Sequence, residues 1–207
     1  MNARVLRLTG SVDKIEDGVE NYKSNVARAL NEQEGYAGAR LLVNRETGAG
    51  VSFTFWRDEA ASQASFEAMK SIRAEASSRF GDERPETKVY EAVVQHRQEP
   101  TEAGNWVRLT TLGGDPAKVE EGVRHFESRV IPEVSKLPGF RGAILFIDRA
   151  TGEAIAATVW DSKSDLDGSS TQVGPIRTLA SEVMGAREPQ VESYEVAFAE
   201  LLAPMGS

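Results

Sequence analysis

The side chains able to do chemistry in this sequence come in pairs, each spaced by 104 residues. Arg4 answers Arg108, Thr54 answers Thr158, Trp56 answers Trp160, and Glu91 answers Glu195. An arginine offers a planar, permanently charged fork that can hold a carboxylate or phenolate. A tryptophan gives an aromatic ligand a face to stack on. Together they describe a pocket for a small aromatic anion. Arg4 and Arg108 are its anion holders and Trp56 and Trp160 its walls, with Thr54, Thr158, Glu91 and Glu195 alongside. Each pair also has a purely structural reading. Arginine and glutamate can form a buried ion pair that pins a sheet register, and a tryptophan can plug a core. Tyr90 and Tyr194 fall on the strand face opposite the glutamates and read as core aromatics.

No residue in this set is assigned a catalytic role. The two histidines, His96 and His125, are not repeated; their counterparts are Glu200 and Asn21. With no cysteine, disulfides, thiolate ligands and cysteine nucleophiles are excluded. No HExxH, phosphate-cradling glycine loop or nucleophile elbow occurs. No metal and no cofactor site is therefore expected. The net charge of −8, without a basic block, offers no footprint for nucleic acid or anionic lipid. No apolar run suits a membrane span, and the first ten residues lack the apolar stretch of a secretory signal. A reducing cytoplasm fits the absence of cysteine.

The elements that must position these residues are also duplicated. A constant offset aligns Arg4–Glu91 with Arg108–Glu195, with roughly 30% of positions identical. The spacing predicts two repeats, 1–97 and 105–200, a polar linker at 98–104 and a loose tail at 201–207, whose Gly206-Ser207 reads as a cloning remnant. In the first repeat Arg4 to Thr9 alternates like a strand. Ser11 and Asp115 then read as helix N-caps, with Pro116 at the first helical position. The stripe Ile15, Val19, Tyr22, Val26, Leu30 falls on one helix face, as does Val119, Val123, Phe126, Val130, Val134. Gly35 and Gly139 end these helices. A hairpin follows, Ala37–Asn44 returning as Val51–Trp56, with Gly48 and Gly152 supplying a positive φ at the turn. A second helix carries Phe66, Met69, Ile72 and Ala76 on one face. Its counterpart contains Gly174-Pro175 and is expected to bend or split there. Strands at Thr87–His96 and Val191–Glu200 close the repeats.

Each repeat is thus β-α-β-β-α-β, the ferredoxin-like unit with both helices on one face of an antiparallel sheet. The fold class expected is α+β: two such repeats whose sheets pack together as a pseudo-dimeric barrel. On this plan Val51, Phe53 and Phe55 face the helices, as do Ile155, Ala157 and Val159. Ser52, Thr54 and Trp56, with Ala156, Thr158 and Trp160, face the other half together with Arg4 and Arg108. Their small members leave room for a cavity near each tryptophan.

Pro138-Gly139-Phe140-Arg141-Gly142, then Asp148-Arg149 with Thr151-Gly152, then Val159-Trp160-Asp161-Ser162 resembles the antibiotic-biosynthesis-monooxygenase (ABM) domain of the dimeric α/β-barrel superfamily. Glu34-Gly35-Tyr36-Ala37-Gly38 through Phe55-Trp56-Arg57-Asp58 is similar to a drifted copy. The resemblance implies a barrel usually closed by two chains and here closed within one. It also implies a cofactor-independent monooxygenase acting on a small aromatic or polyketide-type substrate that itself activates oxygen. The alternative is a non-catalytic ligand-binding or structural barrel. Haem-degrading relatives use an Asn, a Trp and a His on the second helix. Trp56 and Trp160 match the Trp, but neither Glu59–Phe80 nor Ser162–Gly185 contains a histidine. The second repeat keeps the family pattern better and is expected to carry the competent site.

Overall fold

The computed structural model describes residues 1–186 and 188–202. The expectation for the tail at Pro204–Ser207 lies outside the described residues. The chain runs β1 (Asn2–Thr9), α1 (Ile15–Asn21), α2 (Ala27–Asn31), β2 (Tyr36–Val43), β3 (Ala49–Trp56), α3 (Glu59–Ala68), α4 (Lys70–Phe80) and β4 (Glu86–Arg97). The order then recurs as β5 (Trp106–Gly113), α5 (Val119–His125), α6 (Ile131–Val134), β6 (Phe140–Ile147), β7 (Glu153–Trp160), α7 (Lys163–Gly168), α8 (Ser170–Val183) and β8 (Gln190–Leu201). This is the expected β-α-β-β-α-β unit, twice. The strands hydrogen-bond in the order β1-β3-β2-β8-β5-β7-β6-β4, a closed barrel. By its contacts the chain forms two compact units, Met1–Tyr90 with the strand from Val196, and Glu91–Glu195. The cuts fall inside β4 and β8.

In the first unit β3 pairs antiparallel with both β1 and β2. The stripe Ile15, Val19, Tyr22, Val26, Leu30 is buried throughout and packs with Leu41, Trp56, Met69 and Phe80. A π turn at Tyr22–Val26 joins α1 to α2 without interrupting that stripe. In the second unit β7 pairs with β5 and β6. Val119, Phe126, Val130 and Val134 are buried with Leu145, Trp160 and Met184, and Val123 packs against them half-buried.

Local signals hold with two exceptions. Asp115 accepts from the Ala117 N–H at 2.9 Å, with Pro116 opening the turn. Ser11 does not cap, because its hydroxyl bonds the Asp13 carboxylate instead. Gly48 and Gly152 have φ of 80° and 74°, as the hairpin turns require. The second helix of the second unit does not break at Gly174-Pro175. The break is at Ser169, and α8 continues through Pro175. Buried Val173 and half-buried Ile176 on either side anchor that stretch to the core, which offsets the lost hydrogen bond.

The glycines of the signature stretch serve the sheet. Gly38 and Gly142 sit at register shifts where β2 and β6 bulge. A β-carbon on Gly38 would lie 2.5 Å from the Glu200 carbonyl oxygen, at a φ of 150°. Gly38→Ala should therefore cost about 2–3 kcal/mol of stability, measured by urea unfolding.

Candidate functional site

The register places Arg4 on β1 directly across from Thr54 on β3. Both side chains rise on the face that the helices cover, the reverse of the expected orientation. Ser52 and Thr54, with Leu6 and Leu8, meet Val26, Met69 and Phe80 across a cavity of about 50 Å³. Val51, Phe53 and Phe55 occupy the face away from the helices and are themselves buried. The expectation reserved the helix side for the most apolar set. Both sheet faces are buried here, so hydrophobicity did not distinguish them. The polar set faces the helices because the partners of Arg4 are there. Its guanidinium donates to the Ser62 carbonyl, and to the Ser62 and Ser65 hydroxyls at 3.1 Å each.

A second arginine joins the first. Arg73 on α4 lines the same cavity and donates to the Phe66 carbonyl at 2.8 Å. Its guanidinium lies 3.7 Å from the centre of the Phe66 ring, and that of Arg4 lies 5.0 Å from it. Burial pulls the Arg4 pKa down to about 10, and the positive charge of Arg73 adds to the effect. Arg73 is lowered by burial too, with Glu67 opposing. Among the described residues, no carboxylate lines this cavity.

The second unit repeats the arrangement. Arg108 stands across from Thr158 and donates to Ser169 Oγ at 2.9 Å, the Leu166 carbonyl at 2.5 Å and Ser170 Oγ at 3.0 Å. Its pKa is lowered by burial and then by Arg177, with Asp167 opposing. Arg108, Thr158 and Arg177 line a cavity of about 60 Å³ walled by Leu112, Phe126 and Val130. Arg73 and Arg177 escaped the sequence reading, although they are identical at the repeat offset and each follows an isoleucine.

The structure does bring each expected arginine to its tryptophan: the Arg4 guanidinium lies 5.3 Å from the centre of the Trp56 ring and that of Arg108 lies 5.6 Å from the Trp160 ring. Trp56 and Trp160 are fully buried, and each indole N–H donates to the threonine two residues earlier at 3.0 Å. Their rings meet Tyr36 and Phe140 edge-on, and neither is among the residues lining the cavities. Glu91 does not pair with Arg4. It lies across from Ile147 in the second unit and accepts from Arg149 Nε at 2.6 Å. Glu195 lies across from Trp106, and Arg108 is held by hydroxyls and a carbonyl rather than by this carboxylate. Tyr90 and Tyr194 are buried, as core aromatics should be.

Tyr22 adds a polar contact to the first cavity, its hydroxyl 3.0 Å from Ser52 Oγ. Burial raises its pKa to about 12, with Glu200 adding to the rise and the Ser52 bond opposing it. A phenol whose folded pKa is raised stabilises the fold fully below its unfolded value near 10, and that contribution is lost as pH climbs towards 12. Tyr22→Phe should flatten the fall of stability with pH in this window, as followed by urea unfolding at stepped pH.

No family model matches the sequence. The uncharacterized proteins Rv2557 and Rv2558 of Mycobacterium tuberculosis are 27% and 29% identical to it, over 98% and 92% of this chain and 90% and 80% of their own lengths. A solved structure of a candidate monooxygenase from Lactobacillus acidophilus matches with a TM-score of 0.72 at 11% identity, covering 97% of this chain and 96% of that one. An anthrone oxidase-like protein matches at 0.70 and 15%, covering 98% and 94%. A ferredoxin-fold protein of Listeria monocytogenes related to antibiotic biosynthesis monooxygenases matches at 0.55 and 12%, covering 94% of both chains. The fold is that of the ABM-like proteins. At such low identity the ABM likeness is one of fold, so the chemistry has to be argued from the arginine cavities.

Proposed function

We propose that each ABM-like half binds a small aromatic anion between its sheet and its helices, and that the protein is a cofactor-independent monooxygenase of a phenolic or polyketide-type substrate. The observation that supports this reading is a buried arginine, Arg4 or Arg108, joined by a half-buried one, Arg73 or Arg177, at each apolar cavity, with no carboxylate among the described lining residues. A buried cation without a counter-ion is costly, and an anionic ligand offsets that cost. In such a reaction the substrate supplies all four electrons that reduce O2. A CH2 flanked by aromatic rings loses a proton, and its carbanion adds dioxygen to form a C–O bond. The O–O bond then breaks as the second C–H proton leaves, giving a ketone and water. Arg4 or Arg108 would hold the enolate oxygen and favour the ionised substrate. The aliphatic walls keep water from the carbanion.

An inner cavity of 50–60 Å³ takes only the reacting end of such a molecule. In the first unit Arg4 also lines an outer cleft of about 340 Å³ with Phe66, Gln63, Val89 and the carboxylate-bearing Glu59, where a ring system has room. No helix among the described residues is long and apolar enough to cross a membrane, and the cysteine-free sequence suits a cytoplasmic setting.

A second reading, an anion-binding module without turnover, draws support from the same walls. The two inner cavities include no histidine or carboxylate among their described lining residues to take the substrate proton, and Glu59 lines only the outer cleft. Oxygen uptake with anthrone as probe separates the two. A monooxygenase consumes one O2 per anthraquinone formed, faster than buffer and without added cofactor. A binding module shifts the probe's spectrum and leaves uptake at the buffer rate.

A further inference from the structure

The two cavities are not equally equipped. Ser77 lines the first one; it is 2% exposed, and its Oγ has no hydrogen-bond partner among the described residues. Its repeat counterpart Ser181 donates to the Arg177 carbonyl at 2.9 Å. The hydroxyl pair Tyr22–Ser52 in the first cavity is replaced by Phe126 and Ala156 in the second. The second cavity has Thr110 where the first has Leu6.

A buried hydroxyl left unpaired carries a penalty with no structural return, so a serine retained in that state points to a ligand. Its place along the cavity indicates what the ligand must carry. Ser52 lies across from Leu6, two residues along β1 from Arg4. Two residues of strand span about 7 Å. Ser77 follows Arg73 by one helical turn. The hydroxyls therefore stand one step inward from the arginines, ahead of the apolar end at Leu8 and Phe80.

We propose that the first half is the discriminating one: it recognises an aromatic anion bearing a second oxygen about 7 Å from its charge, read by Ser77 and the Tyr22–Ser52 pair. The second half lacks these groups. This rests on the anion reading above and adds a substrate class to it, the hydroxy- or keto-substituted aromatic anions. Met69, unbranched and flexible, lines the cavity.

The test compares 4-hydroxybenzoate with benzoate by calorimetric titration of the full chain. The hydroxylated acid is expected to bind about five- to tenfold more tightly, the worth of one hydrogen bond. Ser77→Ala should bring that preference to about twofold or less, with benzoate affinity unchanged and the melting temperature unchanged or raised, because the hydroxyl has no protein partner to lose and its burial penalty goes with it. Tyr22→Phe combined with Ser52→Ala, the residue types of the second half, should act in the same direction. Ser181→Ala should leave the preference intact. Benzoate binding without any preference, or a preference that survives both sets of variants, overturns this inference and leaves the anion site standing. Failure of both acids to bind overturns the anion site as well.

Discussion

Replacing Arg4 with methionine is expected to weaken anion binding by about 10- to 100-fold while leaving the fold as stable as before, or more stable by up to about 2 kcal/mol. The two effects separate because the arginine is buried without a carboxylate. At neutral pH the fold pays to desolvate its charge and to hold it near Arg73. Methionine fills nearly the same volume and carries no charge. The hydroxyl of Ser65 keeps a partner, since it donates to the Ser62 carbonyl at 2.7 Å, while the buried Ser62 hydroxyl loses its Arg4 donor and limits the gain. The sign can be checked by pH. With its folded pKa lowered to about 10 from the ordinary arginine value, the native state releases this proton first. The penalty therefore stands at neutral pH and shrinks above about pH 10. Urea unfolding of wild type and Arg4→Met from pH 7 to pH 10.5 should show the variant's advantage narrowing at the top of the range. A structural arginine gives the opposite result, a loss of several kcal/mol at pH 7. Arg108→Met should behave alike, because Ser169 Oγ donates to the Leu166 carbonyl at 2.7 Å.

The architecture was legible because duplication wrote it twice. Helix stripes, hairpin glycines and strand alternation recur at one offset, so each element was supported by its copy. The orientation of the sheet faces was not legible. Period-two alternation separates Ser52, Thr54 and Trp56 from Val51, Phe53 and Phe55, but it does not say which set meets the helices when both faces are buried. The deciding information lay elsewhere in the chain, at Ser62 and Ser65, whose hydroxyls receive Arg4. Nothing in β1 or β3 announces that partnership. The expected Arg–Glu pairing failed for a related reason. Glu91 belongs by contact to the second unit, where Arg149 takes its carboxylate. A repeat boundary drawn by identity does not show where a long strand changes partners. Arg73 and Arg177 were visible as a repeated pair, but an arginine on a helix ordinarily reads as surface charge. Only their proximity to Arg4 and Arg108 gives them a role.

Trp56→Ala should cost about 3–5 kcal/mol, a large share of the 5–15 kcal/mol that holds a typical domain. The indole is fully buried and belongs to the cluster of Leu41, Val43 and Tyr22. Its loss removes the edge-on contact with Tyr36, whose ring centre lies 5.7 Å away, and leaves Thr54 Oγ without its 3.0 Å donor. Trp160→Ala should cost a similar amount, since the Thr158 bond and the Phe140 contact are repeated there. Phenylalanine keeps most of the volume, so Trp56→Phe and Trp160→Phe should stay folded at a cost of about 1–2 kcal/mol. The resemblance makes the tryptophan part of the reacting site, so turnover should fall in the phenylalanine variants. The geometry makes it a core residue behind Thr54 and Thr158, so benzoate affinity should stay within about twofold of wild type while urea midpoints fall. A folded Trp160→Phe that binds benzoate normally but loses oxygen uptake with anthrone would return the tryptophan to the chemistry. Loss of stability alone would leave the arginine pairs as the groups that meet the ligand.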